Sequence, residues 1–358
     1  MIFNNFKNKK VIVTGHTGFK GSWLTLWLLF LGAKVTGISN QKINLSNFNA
    51  LKLEKKIQDL KIDIKNLKKL KKAIISKKPD YIFHLAAQAL VKTSFEQPVE
   101  TFITNSIGTL NILESVKAIK KKCTIILITS DKSYKNLELK RGYKENDLLG
   151  GYDPYSASKA SAELIIQSYY QSYIKKNKNL QIGIARAGNV IGGGDWSKDR
   201  LIPDCIKSWS KNQKVTLRNP FSTRPWQHVL EAVGAYLLFA KKLNSNSKLN
   251  GEVFNFGPKQ QNNITVLKVI KKMQILWKKV DWKLINKRRN NNFYESKLLQ
   301  LNCNKAKQKL NWSSVLNFEE TISMTINWYK KFYENPKEIK NFTLSQIKFY
   351  EKQLGKKR

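Results

Sequence analysis

Cysteine is scarce: Cys123, Cys205 and Cys303 are the only three in 358 residues. They are odd in number and far from any metal-ligand spacing, which excludes a disulfide framework or a zinc site and leaves reduced core thiols. No hydrophobic run approaches the ~20 residues that a membrane span needs. The longest, "WLTLWLLFLGA" from Trp23, is about half that and reads as a buried helix. The opening "MIFNNFKNKK" has no apolar signal core, no small-residue cleavage site and no arginine-rich transit pattern, so a cytoplasmic location is expected. Acid is also in short supply, with 25 Asp and Glu against 65 Lys and Arg, a formal charge of +40. Such an excess would suggest nucleic acid or an anionic membrane as partner. Arginine, however, is missing from it, since only eight of the 65 basic residues are arginine. The lysines fall on nearly every expected helix rather than in one stripe, no nucleic-acid motif accompanies them, and Asn and Ile are abundant too, as AT-rich coding produces. We expect a solvated surface, with no nucleic-acid and no membrane partner.

What is present is apolar sequence in regular alternation. At 41% hydrophobic the chain can bury one large core or two moderate ones. "KVIVTG" (10–15) reads as a buried parallel strand, Ser22 to Gly32 as a helix, and 33–39 as a second strand. "DYIFHLAA" (80–87) and "CTIILITS" (123–130) are further strands, separated by an amphipathic helical stretch at 99–119. A helix over 156–176 and a strand over 180–192 continue the pattern. The fold class implied is α/β, a doubly wound parallel sheet. Beyond "GGGDW" short helices and strands mix, with a helix over 231–243 and a strand over 253–258. We expect a dinucleotide-binding domain over 1–186 and a smaller mixed α/β substrate-binding domain over 187–335, with the chain returning to the sheet around 225–258. A basic tail occupies 336–358. Stretches 41–72 and 259–310 lack sharp punctuation.

In "TGHTGFKG", Gly15 permits a tight turn, Gly18 lets backbone approach a pyrophosphate, and Gly21 allows close packing of helix on strand. The loop, which also carries His16, Thr17, Phe19 and Lys20, follows a strand and opens a helix, the context in which a glycine triplet signifies a dinucleotide. "YSASK" places Tyr155 and Lys159 on one helical face, where the lysine charge would lower the phenol pKa and make it a usable base. With G-x-x-G-x-x-G spacing, the two motifs resemble the extended, sugar-modifying branch of the short-chain dehydrogenase/reductase superfamily. That resemblance implies a Rossmann domain holding NAD, Asp63 and Ile64 beside adenine, and Leu85, Ala86 and Ala87 along the nicotinamide half. It also implies Asn105 supporting the lysine, and Val91 and Ser94 facing a hexose. Where an acid would select NAD over NADP the chain has Ser39 and Asn40, so that choice stays open locally. His84 reads as core and His228 as structural.

"ITSDKSY" (128–134) separates the reactions available to such a site. Ser130 ends a strand at the carboxyl edge of the sheet, where ligands bind, and Asp131 and Lys132 follow. Simple 4-epimerases of the superfamily need only the Ser or Thr with Tyr and Lys; its nucleotide-sugar 4,6-dehydratases add an acid here to expel the C6 hydroxyl. Their usual next residue is a glutamate, whereas this chain has Lys132. A lysine there is similar to the subfamily acting on CDP-glucose, whose motifs are matched by "HLAAQALVKTSFEQP", "GGYDPYSASKASAE" and "RNPFSTRPWQHVLE" among others. The resemblance thus implies a CDP-hexose as substrate, a 4-keto-6-deoxy product, and catalytic roles for Ser130, Asp131, Lys132, Tyr155 and Lys159. Another nucleotide-sugar dehydratase or a 4-epimerase is the alternative. Four of the eight arginines, Arg186, Arg200, Arg218 and Arg224, cluster in the second half, where a diphosphate would be gripped. Arg200, Arg218 and Arg224, with Asn189, are the expected substrate ligands. Related enzymes pair the helices near 98–120 and 155–175 into a four-helix interface, so a homodimer is expected; no metal is.

Overall fold

The computed structural model describes residues 2–40, 45–217, 219–258, 263–278, 280–284 and 299–356. Its centre is a sheet of seven strands: β1 (Lys10–Thr14), β2 (Lys34–Ser39), β3 (Gln58–Lys61), β4 (Tyr81–His84), β5 (Cys123–Ile128), β6 (Leu180–Ala187) and β7 (Val253–Phe256). Their spatial order is β3-β2-β1-β4-β5-β6-β7, and every neighbouring pair is parallel. The order reverses between β1 and β4, which opens a crevice at their carboxyl ends.

Both faces of the sheet are covered, which explains strands that read as continuous apolar runs. Side chains alternate between the two layers: β1 sends Val11 and Val13 to one and Ile12 to the other, and β5 divides Ile126 and Ile128 from Ile125 and Leu127. One layer holds α1 (Phe19–Phe30), and the other α2 (Leu67–Lys77), α3 (Gly108–Val116) and α4 (Pro154–Tyr169). The apolar run at Trp23 is indeed core, with Trp23, Leu24, Leu26, Trp27 and Leu28 all buried in α1. Each such aliphatic side chain contributes about 2 kcal/mol over leaving it in water. Among the described residues no helix is long and apolar enough to cross a membrane.

The second half builds a smaller lobe and also returns to the sheet. Helix α5 (Leu201–Trp209) and the short strand pairs Val215–Leu217 with Trp282–Leu284 and Thr223–Pro225 with Asn263–Thr265 form the lobe. Helix α6 (Val229–Ser245) then packs beneath β5 and β6, and Gly183 of β6 leaves room for the Phe239 ring. Helix α7 (Val266–Leu276) rests on α8 (Phe318–Glu334), which starts with a reciprocal Asn317–Glu320 cap. The segment expected only as a basic tail is α9 (Ile339–Lys356), whose buried Ile347, Tyr350 and Leu354 lie against α1 and α8. Its lysines hid an apolar stripe at helical spacing. Strand β3 and helix α2 arise from a stretch where no element boundary was legible.

His228 caps α6 by accepting from Leu230 N at 3.3 Å and packs edge-on against Trp23. Burial lowers it from 6.5 to about 3, as it does His84. Below pH 6.5 the unfolded chain therefore binds protons that the folded chain refuses, so this stability is complete above 6.5 and is lost as pH falls toward 3. His228→Asn keeps a capping acceptor and removes one titration. Thermal melts across that range are expected to show a shallower loss of Tm on acidification than the wild type; parallel curves would contradict this.

Candidate active site

The turn after β1 forms the floor of the crevice. Gly15 has φ +71°, and a Cβ there would lie 2.7 Å from Ala86 N; at Gly21 a Cβ would lie 2.1 Å from the Gly15 carbonyl oxygen. Gly18 N donates to Gly15 O at 3.1 Å, and Thr17 Oγ1 sits 2.9 Å from Ser39 Oγ, stitching the loop to the end of β2. Opposite, Leu85 N and Ala86 N donate to the Thr14 carbonyl and hydroxyl at 3.1 and 3.2 Å, so residues 85–87 line the same trough. A trough walled by backbone and small side chains, ending at the amino end of α1 behind Gly18 and Phe19, fits a dinucleotide pyrophosphate. The His16 ring is turned away beneath it, fully buried, with Nε2 3.0 Å from Asp59 Oδ1 and its edge toward Phe48.

At the far end Asn40 Nδ2 donates to Asp63 Oδ2 at 2.8 Å, and Asp63 Oδ1 accepts from Lys65 N at 2.8 Å. Asp63 thus closes the trough at the end of β2, next to Asn40. Ile64 is a packing residue: its side chain fills the space over Gly108, and its carbonyl accepts from Asn111 Nδ2 at 2.9 Å.

The second wall comes from the turn after β5 and from α4. Ser130 Oγ donates to Asp131 Oδ1 at 3.0 Å and accepts from Lys132 N at 3.2 Å, and it lies close enough to the Tyr155 phenol to influence it. One hydroxyl therefore stands beside both the acid and the phenol. Asp153 caps α4 by accepting from Ser156 N at 2.9 Å, with Pro154 in the first turn, which places Tyr155 and Lys159 on the inner face. Lys132 is half-buried beside them.

Burial sets the electrostatics. It pushes the Asp131 carboxyl up, against the opposing charge of Lys132, and lowers Lys159 to about 8, against Glu163. The Tyr155 phenol is raised by burial, with the Ser130 hydrogen bond as the leading opposing influence. This corrects the expectation that Lys159 depresses it, because desolvation outweighs the neighbouring charges in the closed pocket. Lys20, at the start of α1, is brought to about 8 by burial first and by Arg200 second, with Asp131 opposing. The loop lysine and the acid thus belong to one electrostatic unit.

Several expected ligands have other employment. Ser94 Oγ donates to Val91 O at 2.6 Å and accepts from Tyr155 N at 3.1 Å, so it positions Tyr155 rather than facing a sugar; Val91 supplies the carbonyl and is half-buried. Asn105, in the π-turn Ile103–Ile107, clips Gln88 to Ser158 with its amide at 2.8 to 3.0 Å, which holds the β4 exit against α4 instead of presenting a free group. Arg186 is not available to phosphate: it is buried in a bidentate pair with Glu163. Arg200 does face the cluster, with Nη1 3.0 Å from Asp195 Oδ2. Asn189 is exposed in the β6 exit, Arg224 lies on Thr223–Pro225 donating to Thr223 O at 2.8 Å, and Arg218 falls outside the described residues. His84, between Thr14 and Thr109 hydroxyls, is core as expected.

Two participants were not foreseen. Glu163 lies one helical turn past Lys159, a spacing that could have revealed it. Tyr236 of α6 comes within the fields of Tyr155 and Asp131 from below, for which no motif gives a signal.

Comparison with known proteins agrees with this geometry. Residues 12–325 match the family model described as GDP-mannose 4,6 dehydratase. The chain is 43% identical over 337 residues to the CDP-glucose 4,6-dehydratase of Salmonella typhimurium, covering 92% of this chain and 93% of that one. An epimerase from Methanothermobacter thermautotrophicus superposes with a TM-score of 0.78 at 23% identity, over 94% of this chain and 96% of that one. The dTDP-glucose 4,6-dehydratase of Bacillus anthracis in complex with NAD superposes with 0.73 at 24% identity, over 92% and 99%. The parallel sheet, the glycine turn and the Ser-Asp-Lys and Tyr-Lys walls meet in a chain that belongs to the GDP-mannose 4,6 dehydratase family.

Proposed function

We propose that the protein is an NAD-dependent 4,6-dehydratase of a nucleotide-activated hexose, acting on CDP-glucose to give CDP-4-dehydro-6-deoxyglucose. The observation that carries this reading is that the buried acid Asp131, hydrogen-bonded by Ser130, lies within the electrostatic reach of the buried phenol of a Tyr/Lys pair. The 43% identity to a CDP-glucose 4,6-dehydratase supports the choice of nucleotide. Nucleotide sugars are made in the cytoplasm, and the enzyme is assigned there.

The glycine turn fits NAD: a Cβ at Gly15 or Gly21 would strike the backbone of Ala86 or Gly15, so the turn stays tight, while a Cβ at Gly18 meets only Gly15 O at 3.3 Å, so that its backbone can face the pyrophosphate. Gly15 to Gly21 would hold its pyrophosphate, with Asp63 at the adenosine end and Leu85 to Ala87 along the nicotinamide. Bound there, the cofactor supplies reversible hydride transfer, from C4 of the sugar and back to C6. Tyr155, as the phenolate stabilised by the Lys159 ammonium, takes the O4 proton and becomes the phenol, and Ser130 orients the oxygen. The C4 ketone acidifies C5, where Lys132 acts as base or as a cation stabilising the enolate. Asp131, whose hold on a proton burial strengthens, donates to the departing C6 hydroxyl. The protons balance: the proton taken from C5 is matched by one returned to C5 as hydride reaches C6, and the one lifted from O4 equals the one Asp131 gives to the departing water. Arg200, Arg218, Arg224 and Asn189 are assigned to the diphosphate and sugar.

The enzyme is also assigned as a homodimer. Val99, Ile103 and Ile107 follow one another at four-residue spacing with exposures of 70%, 38% and 43%, and Leu164 on the adjoining α4 is 56% exposed. An apolar stripe across two packed helices suits pairing with a second copy.

Three outcomes are expected. Deuterium at C4 of CDP-glucose appears at C6 of the product without net NADH release, read by mass spectrometry and absorbance; label lost to solvent would refute internal return. Asp131→Asn lowers kcat by about a hundredfold or more while CDP-glucose still binds. In sedimentation velocity, Ile103→Asp with Ile107→Asp gives a monomer where the wild type is a dimer.

A further inference from the structure

A second buried charge pair backs the catalytic wall. The Glu163 and Arg186 side chains are 0% and 1% exposed. Arg186 Nε lies 2.9 Å from both Glu163 oxygens, its Nη2 bonds Oε2, and its Nη1 donates to Tyr134 Oη at 2.6 Å and Glu145 O at 3.0 Å. The guanidinium also stacks 4.5 Å over the Tyr134 ring. Glu163 Oε1 accepts from Thr129 Oγ1 at 2.7 Å, and Thr129 immediately precedes Ser130. One carboxylate thus touches the strand exit that presents Ser130 and Asp131, and sits a turn from Lys159.

Such a pair contributes little net stability relative to an apolar filling of the same volume, so its position next to the reacting groups calls for another account. The charged and titratable groups that interact with Lys159 are Glu163 on its own helix, His84 from β4 and Lys20 from the start of α1, while Tyr155 shares its helix face one turn earlier. His84 is neutral through burial and Lys20 repels. Glu163 is the group that favours the ammonium form of Lys159.

We propose that Glu163, clamped by Arg186, is a positioning residue: it keeps Lys159 charged for Tyr155 and, through Thr129, fixes the turn carrying Ser130 and Asp131. This rests on the reading of Tyr155 and Lys159 as the acid–base pair. Arg186 acts one step further away, because without it the Glu163 carboxylate would be left buried and unpaired.

The test is the titration of Lys159, read by carbon-13 NMR of ε-labelled lysine as the resonance absent from each protein's Lys159→Arg partner, without substrate. In Glu163→Gln, Lys159 loses its proton about one pH unit lower. Arg186→Met should give the same shift, the double variant no more than either, and Arg186→Lys should restore most of the wild-type curve. With CDP-glucose, kcat falls at unchanged KM. An unchanged or upward titration of Lys159 in Glu163→Gln overturns the proposal, since a role confined to packing would leave it in place. If Arg186→Met fails to fold, the nearly isosteric Glu163→Gln decides alone. The titration needs no turnover: a wild type inactive on CDP-glucose would refute the proposed function, and an unmoved titration in an active enzyme would refute only this inference.

Discussion

Desolvation at the carboxyl edge of β5 is the constraint on which the site depends. Asp131, Tyr155, Lys159 and Lys20 are drawn out of water together, and burial moves the acid and phenol up and the amines down. A carboxyl that stays protonated can donate, and an amine near neutrality can be tuned by one neighbouring charge. The sheet makes this possible: both of its faces are covered, so the ends of β1, β4 and β5 open into a recess rather than onto bulk solvent. Hydrogen bonds then assign the roles, with Ser130 holding Asp131 beside Tyr155 and Glu163 joining Thr129 to Arg186.

Much of this was legible in the order of residues, and the division between what was and was not follows sequence distance. The glycine turn, the i, i+4 Tyr155/Lys159 pair and the Ser130-Asp131-Lys132 turn are local, and each carries its geometry within a few residues. The roles of His16, Ser94, Asn105 and Arg186 are decided by partners 43, 61, 53 and 23 residues away, namely Asp59, Tyr155, Ser158 and Glu163. No local rule could separate an arginine that grips phosphate from one spent on a buried carboxylate. Strand β3 and α9 were missed for a related reason. Lysine saturates their surroundings, so the apolar spacing that marks an element is diluted until packing reveals it.

The lysine excess and the few placed cations act at different ranges. Lys61, Lys117 and Lys121 pair with nearby carboxylates at the surface, where each such pair contributes less than about 1 kcal/mol. Lys20 and Lys159 work out of water, where low dielectric makes single charges count, with the half-buried Lys132 and Arg200 beside them. A nucleotide sugar carries its negative charge on the diphosphate, so the same +40 that does not select nucleic acid still raises the concentration of such an anion near the protein. The general field brings an anion to the crevice, and the buried groups discriminate among reactions once it is there. Chemistry therefore depends on which cations are desolvated, not on how many the chain carries.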